Sequence, residues 1–74
     1  MASVHADVTG SVWQIAVEVD QVVAVDDELA ILESMKMEIP VVAPLAGRVA
    51  EIHVSLNEPV KEGQLLFSIE ADGS

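Results

Sequence analysis

The sequence predicts an all-β fold, a flattened antiparallel β-barrel or sandwich of two four-stranded sheets with an internal quasi-two-fold repeat. Two observations predict this fold. The 74-residue chain has thirteen Val and five Ile but only two aromatic residues, and β-branched side chains favour pleated strands. The chain also matches itself at an offset of 37 positions, which indicates two copies of one β unit. At this length we expect a single domain, residues 1–74, with an ordered core of about residues 3–70.

Strand signals occur eight times, four in each half of the chain. They lie near residues 3–6, 11–17, 21–23, 28–33, 37–42, 48–54, 59–61 and 65–70. The repeat aligns Gly10 with Gly47, Val12 with Val49 and Leu29 with Leu66. One half alone would leave its apolar side without a cover, so we expect the halves to pack face to face about an approximate two-fold axis.

Turns and irregularities recur as well. Gly, Pro and Asp cluster between the strands, which predicts turns at residues 7–10, 26–27, 44–47 and 62–63. Apolar alternation breaks by one residue in the second strand of each half, which predicts β-bulges at Trp13-Gln14 and at Ala50-Glu51. Residues 71–74 are expected to be a loose end.

The charge of the chain argues against several classes of partner. Thirteen acidic residues against three basic ones give a net charge of −10, which repels the phosphates of nucleic acid and of anionic lipid. No cysteine is present, so a disulfide framework and a thiolate metal site are excluded. No apolar run approaches the ~20 residues of a membrane helix, and the start lacks the pattern of a signal peptide. We expect a cytoplasmic monomer that binds neither nucleic acid nor membrane.

Histidines and serines give no candidate catalytic or metal site. His5 and His53 lack a second ligand at metal-binding spacing. No serine lies in a Gly-rich elbow or beside a histidine in the sequence, so a hydrolase is not indicated. We assign Trp13 a half-buried packing role, with a docking role as the alternative.

Lys36 is the strongest candidate for chemistry. It lies between Met35 and Met37, which put apolar, polarizable side chains where a hairpin turn would normally carry residues such as Asn-Gly. The alternative is that the methionines face inward as core residues. The chain offers no obvious base to deprotonate the amine, and only a neutral amine attacks an acyl donor. We therefore predict that Lys36 is the substrate of an external enzyme. The repeat aligns it with Gly73, so we expect this turn and the chain termini at opposite ends of the molecule.

The central segment resembles the Ala-Met-Lys-Met attachment motif of biotin carboxyl carrier domains. The resemblance implies covalent biotin on Lys36, recognition of Met35 and Met37 by a biotin protein ligase, and flanking positions for Glu33 and Glu38. It also implies the fold known as a barrel-sandwich hybrid. The similarity extends over about residues 3 to 70 and includes Ala-Pro-Leu-Ala-Gly-Arg-Val at 43–49 and Val-Lys-Glu-Gly-Gln-Leu-Leu at 60–66.

Two residues depart from the pattern of that family. Ser34 stands where the family prefers Ala, a small change that should not prevent recognition by the ligase. Asp26 stands where a turn Gly is usual and where the second half has Gly63. Because Asp tolerates positive φ better than most residues, we expect the turn at Asp26 to survive.

By this resemblance the domain is a non-catalytic carrier. Its biotin would move a carboxyl group between a biotin carboxylase and a carboxyltransferase, in weak and transient contacts. One alternative is a lipoyl carrier, also acylated at Lys36, although lipoyl domains usually have Asp-Lys-Ala-like neighbours. Another is a biotinylated storage or binding protein that serves no carboxylase. An enzyme that uses Lys36 as its own nucleophile is disfavoured because so short a chain has little sequence with which to build a pocket.

Overall fold

The protein is built from β-strands. The computed structural model describes residues 1–71, and within that range no helix is long and apolar enough to cross a membrane. The strands are β1 (Ala2–His5), β2 (Gly10–Ile15), β3 (Val22–Val23), β4 (Glu28–Ser34), β5 (Met37–Val42), β6 (Gly47–Ile52), β7 (Pro59–Val60) and β8 (Leu65–Ala71). They form two four-stranded antiparallel sheets, so the predicted fold class is confirmed.

The two sheets are named by what they carry. The terminal sheet has the strand order β1-β8-β6-β3, and the lysine sheet has the order β5-β4-β2-β7. Each sheet takes two strands from each half of the chain. The expectation that one half packs face to face on the other is therefore wrong. For example, β1 from the first half pairs with β8 from the second half. The strands of the two halves are therefore interleaved, and neither sheet is complete without both halves.

The repeat governs the backbone of the turns. Within residues 1–71, fourteen backbone hydrogen bonds outside the strand ladders form seven pairs that obey the 37-residue offset. In one pair, the N–H of Asp20 donates to the carbonyl of Val49, and the N–H of Asn57 donates to the carbonyl of Val12, both at 2.7 Å. We call two residues at this offset mates.

Both predicted bulges are present. The register of β2 against β4 shifts between Val12 and Gln14, which leaves Trp13 as the extra residue. The register of β6 against β8 shifts between Val49 and Glu51 in the same way. Two further register shifts occur, one where β4 meets β5 and one where β1 meets β8. They lie at positions equivalent under the 37-residue offset, and they were not predicted from the sequence.

The core consists mainly of aliphatic side chains from both sheets. The largest fully buried side chains are Phe67, Leu29, Leu32, Leu66, Ile69, Val12, Val49 and Val60. Phe67 is the mate of Ala30, which is also buried. The interior therefore places side chains of unequal size at equivalent positions, as close packing of two similar layers requires.

The ends of several strands differ from the sequence prediction. The second strand of each half stops at Ile15 and at Ile52, two residues before its predicted end. Ala71 is the last residue of β8 rather than part of a loose end, and residues 72–74 lie outside the described residues. Ala71 pairs with Gly47 at the start of β6. The chain reaches Gly47 from the end of β5 that is farther from Lys36. The described chain end and the Lys36 turn therefore lie at opposite ends, as predicted.

Candidate functional site

Lys36 lies in the tight turn that joins β4 to β5. Ser34 pairs with Met37, so the loop contains two residues, Met35 and Lys36. Both have positive φ, 51° and 66°, the pattern of a type I′ hairpin turn. A side chain at such a φ costs roughly 1–2 kcal/mol per residue, which is why Asn-Gly normally occupies this turn. The residues at this turn are therefore not those that its backbone geometry favours.

Both methionines beside the lysine are exposed. Met35 is 92% exposed and Met37 is 64% exposed. The alternative that they serve as core residues is therefore wrong. Together with Lys36, which is also exposed, they form an apolar, flexible surface around one amine.

The amine of Lys36 has no activating partner in the protein. Within residues 1–71 its side chain makes no hydrogen bond and no ion pair. No described base is placed to take its proton, so the geometry agrees with a substrate and not with a nucleophilic catalyst.

Two hydrogen bonds connect the turn end of the β4–β5 hairpin, through Thr9, with neighbouring loops. The Ser34 hydroxyl donates to the carbonyl of Thr9 at 2.8 Å. The N–H of Glu62 donates to the hydroxyl of Thr9 at 3.2 Å. Thr9 thus links the β4–β5 hairpin to the loop that follows β7. From the sequence, Ser34 is expected to be a small change from Ala that does not prevent recognition by the ligase; in the structure its hydroxyl has a partner that Ala would lose.

Gly10 lets the backbone of β2 lie close to the backbone of β4 next to the turn. A Cβ atom at Gly10 would overlap the carbonyl oxygen of Glu33, and one at its mate Gly47 would overlap the carbonyl oxygen of Glu70. Any side chain at Gly10 would therefore push β2 away from the strand that leads to Lys36.

Two glutamates face each other at the foot of the turn. Glu33 and Glu38 are direct cross-strand partners on β4 and β5, and both are exposed. Neither forms an ion pair with another residue of the described chain. Like charges in this position destabilise a sheet slightly.

Asp26 and Gly63 occupy equivalent turns of the two halves. Asp26 has a φ of 70° and Gly63 a φ of 87°. The prediction that Asp26 can replace the usual turn glycine is confirmed. The carboxylate of Asp27 also accepts a hydrogen bond from the N–H of Ala24 at 2.8 Å, which closes the turn.

The structure places a serine beside a histidine, which the sequence analysis missed. His53 Nε2 lies 3.0 Å from the hydroxyl of Ser68, a contact made by strand pairing and invisible in the linear spacing. The Glu51 carboxylate lies 4.0 Å from the same nitrogen, whereas a catalytic triad needs it on the other ring nitrogen. Ser68 is also only 7% exposed. The cluster is therefore a packing contact. No group of His, Cys, Asp and Glu side chains suited to a metal occurs within residues 1–71.

Comparison with known proteins agrees with this geometry. The biotin/lipoyl family model, described as "Biotin-requiring enzyme", matches residues 1–69. The chain belongs to the biotin/lipoyl attachment family. This biotin/lipoyl domain is 40% identical over 66 residues to the biotinylated protein TB7.3 homolog of Mycobacterium leprae, covering 89% of this chain and 93% of that protein. It is 37% identical over 67 residues to the biotin/lipoyl attachment protein of Bacillus subtilis, covering 90% of this chain and 92% of that one.

A solved structure shares the same fold. The urea carboxylase of Kluyveromyces lactis superimposes with a TM-score of 0.89 at 29% identity, over 93% of this chain and 6% of that chain. The biotin/lipoyl domain described above thus corresponds to a small part of a large carboxylase. The predictions of family, fold, a biotin carrier role without catalysis of its own, and biotin as cofactor are confirmed. The attachment residue stays a prediction.

Proposed function

We propose that Lys36 is the biotin attachment site and that a biotin protein ligase acylates it. The observation that carries the proposal is the β4–β5 turn, where Lys36 is exposed at positive φ between two exposed methionines. Lys61 is also exposed, but it lies between β7 and a turn, without methionine neighbours. Its mate is Ala24, so the fold does not require a lysine there.

The attachment reaction is an acyl transfer. The neutral amine of Lys36 attacks the carbonyl carbon of biotinyl-AMP, an amide bond forms, the bond from that carbon to the phosphate oxygen breaks, and AMP leaves while the amine loses a proton. This domain contributes the amine and its position. The ligase has to supply the base and the orientation, since within residues 1–71 no side chain forms a hydrogen bond or an ion pair with the amine.

The carrier role follows from a rigid body with one exposed arm. When attached, biotin supplies the ring that takes up and gives up a carboxyl group. Attachment to a rigid β body keeps that group at a high effective concentration in the two active sites it visits. We propose that these sites belong to a biotin carboxylase and a carboxyltransferase, and that the domain acts as a cytoplasmic monomer.

Contacts with the biotin carboxylase and the carboxyltransferase are expected to be weak and brief. A tip of three side chains cannot bury the ~1,200 Å² or more that stable complexes need. Weak binding also suits the task, because a carrier that serves two sites has to leave each one.

The test uses the full chain, incubated with ligase, biotin and MgATP. We expect the intact mass of the wild type to show one biotin per chain. The intact mass of Lys36→Arg should show no addition, because arginine retains the charge but is not acylated. Lys61→Arg is the matched control and should be modified fully. Biotinylation of Lys36→Arg, or loss of biotinylation in folded Lys61→Arg, contradicts the assignment.

Two further readouts separate the alternatives. A mass increment of lipoate instead of biotin, after expression with both cofactors present, would identify a lipoyl carrier. Carboxylation of the biotinylated protein by a biotin carboxylase with bicarbonate and ATP is expected for a carrier. Failure with every cognate carboxylase would favour the storage protein.

A further inference from the structure

The outer faces of the two sheets give an internal comparison, because the repeat makes them equivalent. On the lysine sheet, Pro40 pairs with Ile31, and Ile31 lies opposite the bulge that carries Trp13. Trp13 and its neighbour Gln14 are both exposed, since the bulge turns two consecutive side chains outward. Trp13 is 47% exposed. We call Pro40, Ile31 and Trp13 the apolar row; it crosses three strands of this sheet.

The equivalent row of the terminal sheet is polar or small. The mates of the apolar row are Ser3, Ser68 and Ala50, and they lie in the same register. There, the His53 ring covers Ser68 through the 3.0 Å contact. The same backbone thus carries a tryptophan and an isoleucine on one face and an alanine and a covered serine on the other. The fold does not require the apolar row.

The charged residues of the two outer faces also differ. On the terminal sheet, Glu70 pairs across the strands with Arg48, whose guanidinium donates to its carboxylate at 3.1 Å. The mates of this pair are Glu33 and Ser11, which face each other in the same register. Glu33 therefore lacks the cation that its mate has, and it lies next to Glu38 instead. Within residues 1–71, the terminal sheet thus pairs its glutamate with an arginine, whereas the lysine sheet leaves Glu33 and Glu38 without an ion-pair partner.

We propose that the outer face of the lysine sheet is a docking surface for the biotin protein ligase. The ligase would place apolar side chains on the apolar row and a Lys or Arg side chain against Glu33 and Glu38. This inference rests on the proposed function and extends the contact beyond the tip. Ile31 is five residues from Lys36, about 16 Å along a strand, so one protein surface can span both. Partly exposed tryptophans are frequent anchors of such interfaces.

Charge favours a protein surface with Lys or Arg side chains, as proposed for the ligase, over a second copy of the chain, nucleic acid or an anionic membrane. A second copy of the chain would bring its own Glu33 and Glu38 to the same face, and each copy has a net charge of −10. Nucleic acid and anionic membranes are repelled for the same reason. A basic protein surface is attracted, and its association depends on salt.

The test is steady-state biotinylation by a purified bacterial biotin protein ligase. We expect Trp13→Ala to raise KM at least 10-fold with kcat unchanged, because Trp13 contacts the ligase away from the reacting amine. Val22→Ala is the matched control: Val22 is an exposed apolar residue on the terminal sheet, and its removal should leave KM unchanged. Thermal unfolding of each variant verifies that it is folded.

A second variant tests the charges without removing apolar surface. Ser11→Arg places an arginine opposite Glu33, as Arg48 lies opposite Glu70. The new arginine should form an ion pair with Glu33 and so compete with the Lys or Arg side chain of the ligase. We expect a several-fold rise in KM and a shallower dependence of kcat/KM on salt, whereas Ser11→Gln should behave like the wild type.

Three outcomes overturn the inference. The first is unchanged KM in folded Trp13→Ala and Ser11→Arg while the wild type is biotinylated, which leaves the proposed function intact. A dimer in sedimentation velocity that Trp13→Ala abolishes would assign the face to a second copy. A wild type that is not biotinylated at all ends both proposals.

Discussion

Positions that hold the backbone together recur in both halves of this domain, whereas several positions on its outer faces differ between the halves. Gly10 and Gly47 allow the same close approach to a carbonyl group, and both halves have a bulge at the same place. In contrast, Trp13 has Ala50 as its mate, and Ser11 has Arg48. The comparison teaches that the fold constrains the first set, so that the second is available for recognition.

The two glycines provide the most severe test of this comparison. Gly10→Ala and Gly47→Ala should each destabilise the domain by about 2–3 kcal/mol, since the new Cβ overlaps a carbonyl oxygen that the sheet cannot move freely. Urea unfolding of both variants measures the effect. Equal losses of unfolding free energy would support the equivalence of the two positions. An unchanged unfolding free energy in Gly10→Ala would show that the β2–β4 contact can relax.

The Lys36 turn should respond in the opposite direction. Met35→Asn combined with Lys36→Gly should stabilise the domain by about 1–2 kcal/mol, because both new residues suit the positive φ of this turn. The same double variant should lose all biotinylation. Lys36→Arg is the control, since it removes the site but keeps a side chain at positive φ. A stability equal to wild type in the double variant would mean that the turn geometry costs nothing.

The Asp26 and Gly63 turns should exchange with smaller effects. Asp26→Gly should gain roughly 0.5 kcal/mol, since relief at positive φ is partly offset by the greater backbone entropy of glycine in the unfolded chain. Gly63→Asp should lose a similar amount. Denaturant midpoints of the two variants at constant pH compare them, and changes of the same sign would contradict equivalence of the turns.

Replacing the surface arginine should have the smallest effect. Arg48→Ala removes the contacts with Glu70 and Asp20, but partly exposed ion pairs contribute less than about 1 kcal/mol. We expect a loss of that size in low salt and almost none in high salt. A loss that salt leaves unchanged would indicate that Arg48 acts through packing instead of charge.

Much of the fold was predictable because local signals recur. The offset of 37, the strand positions and the bulges at Trp13 and Ala50 all come from alternation and repetition, which packing enforces. The interleaving of the halves was mispredicted, since a repeat defines equivalent strands but not which copy each strand pairs with. The contact of His53 with Ser68 was missed for a related reason, because it depends on cross-strand register.

The sequence pointed to a candidate site at Lys36, which stays a prediction, but it did not indicate the contacts that support the turn. Lys36 and its methionines violate the preferences of a turn, and a violated local rule is visible in a sequence. The hydrogen bond from Ser34 to Thr9 joins residues 25 positions apart, so no local pattern indicates it. That Glu33 has no ion-pair partner among the described residues becomes apparent only when its neighbours across the sheet are compared with those of Glu70.

Interleaved strands also affect how quickly the chain can fold. Among the eight described strands, only β4 and β5 are partners joined by a tight turn, whereas β1 pairs with β8 across a separation of sixty residues or more. Pairings between distant segments form slowly, because the loop entropy is lost before the contacts are gained. The one hairpin that could form early contains Met35 and Lys36 at its turn, where Asn-Gly would nucleate it faster. The proposed acyl acceptor thus occupies the turn at which a more favourable sequence would give the chain its fastest route to the native topology.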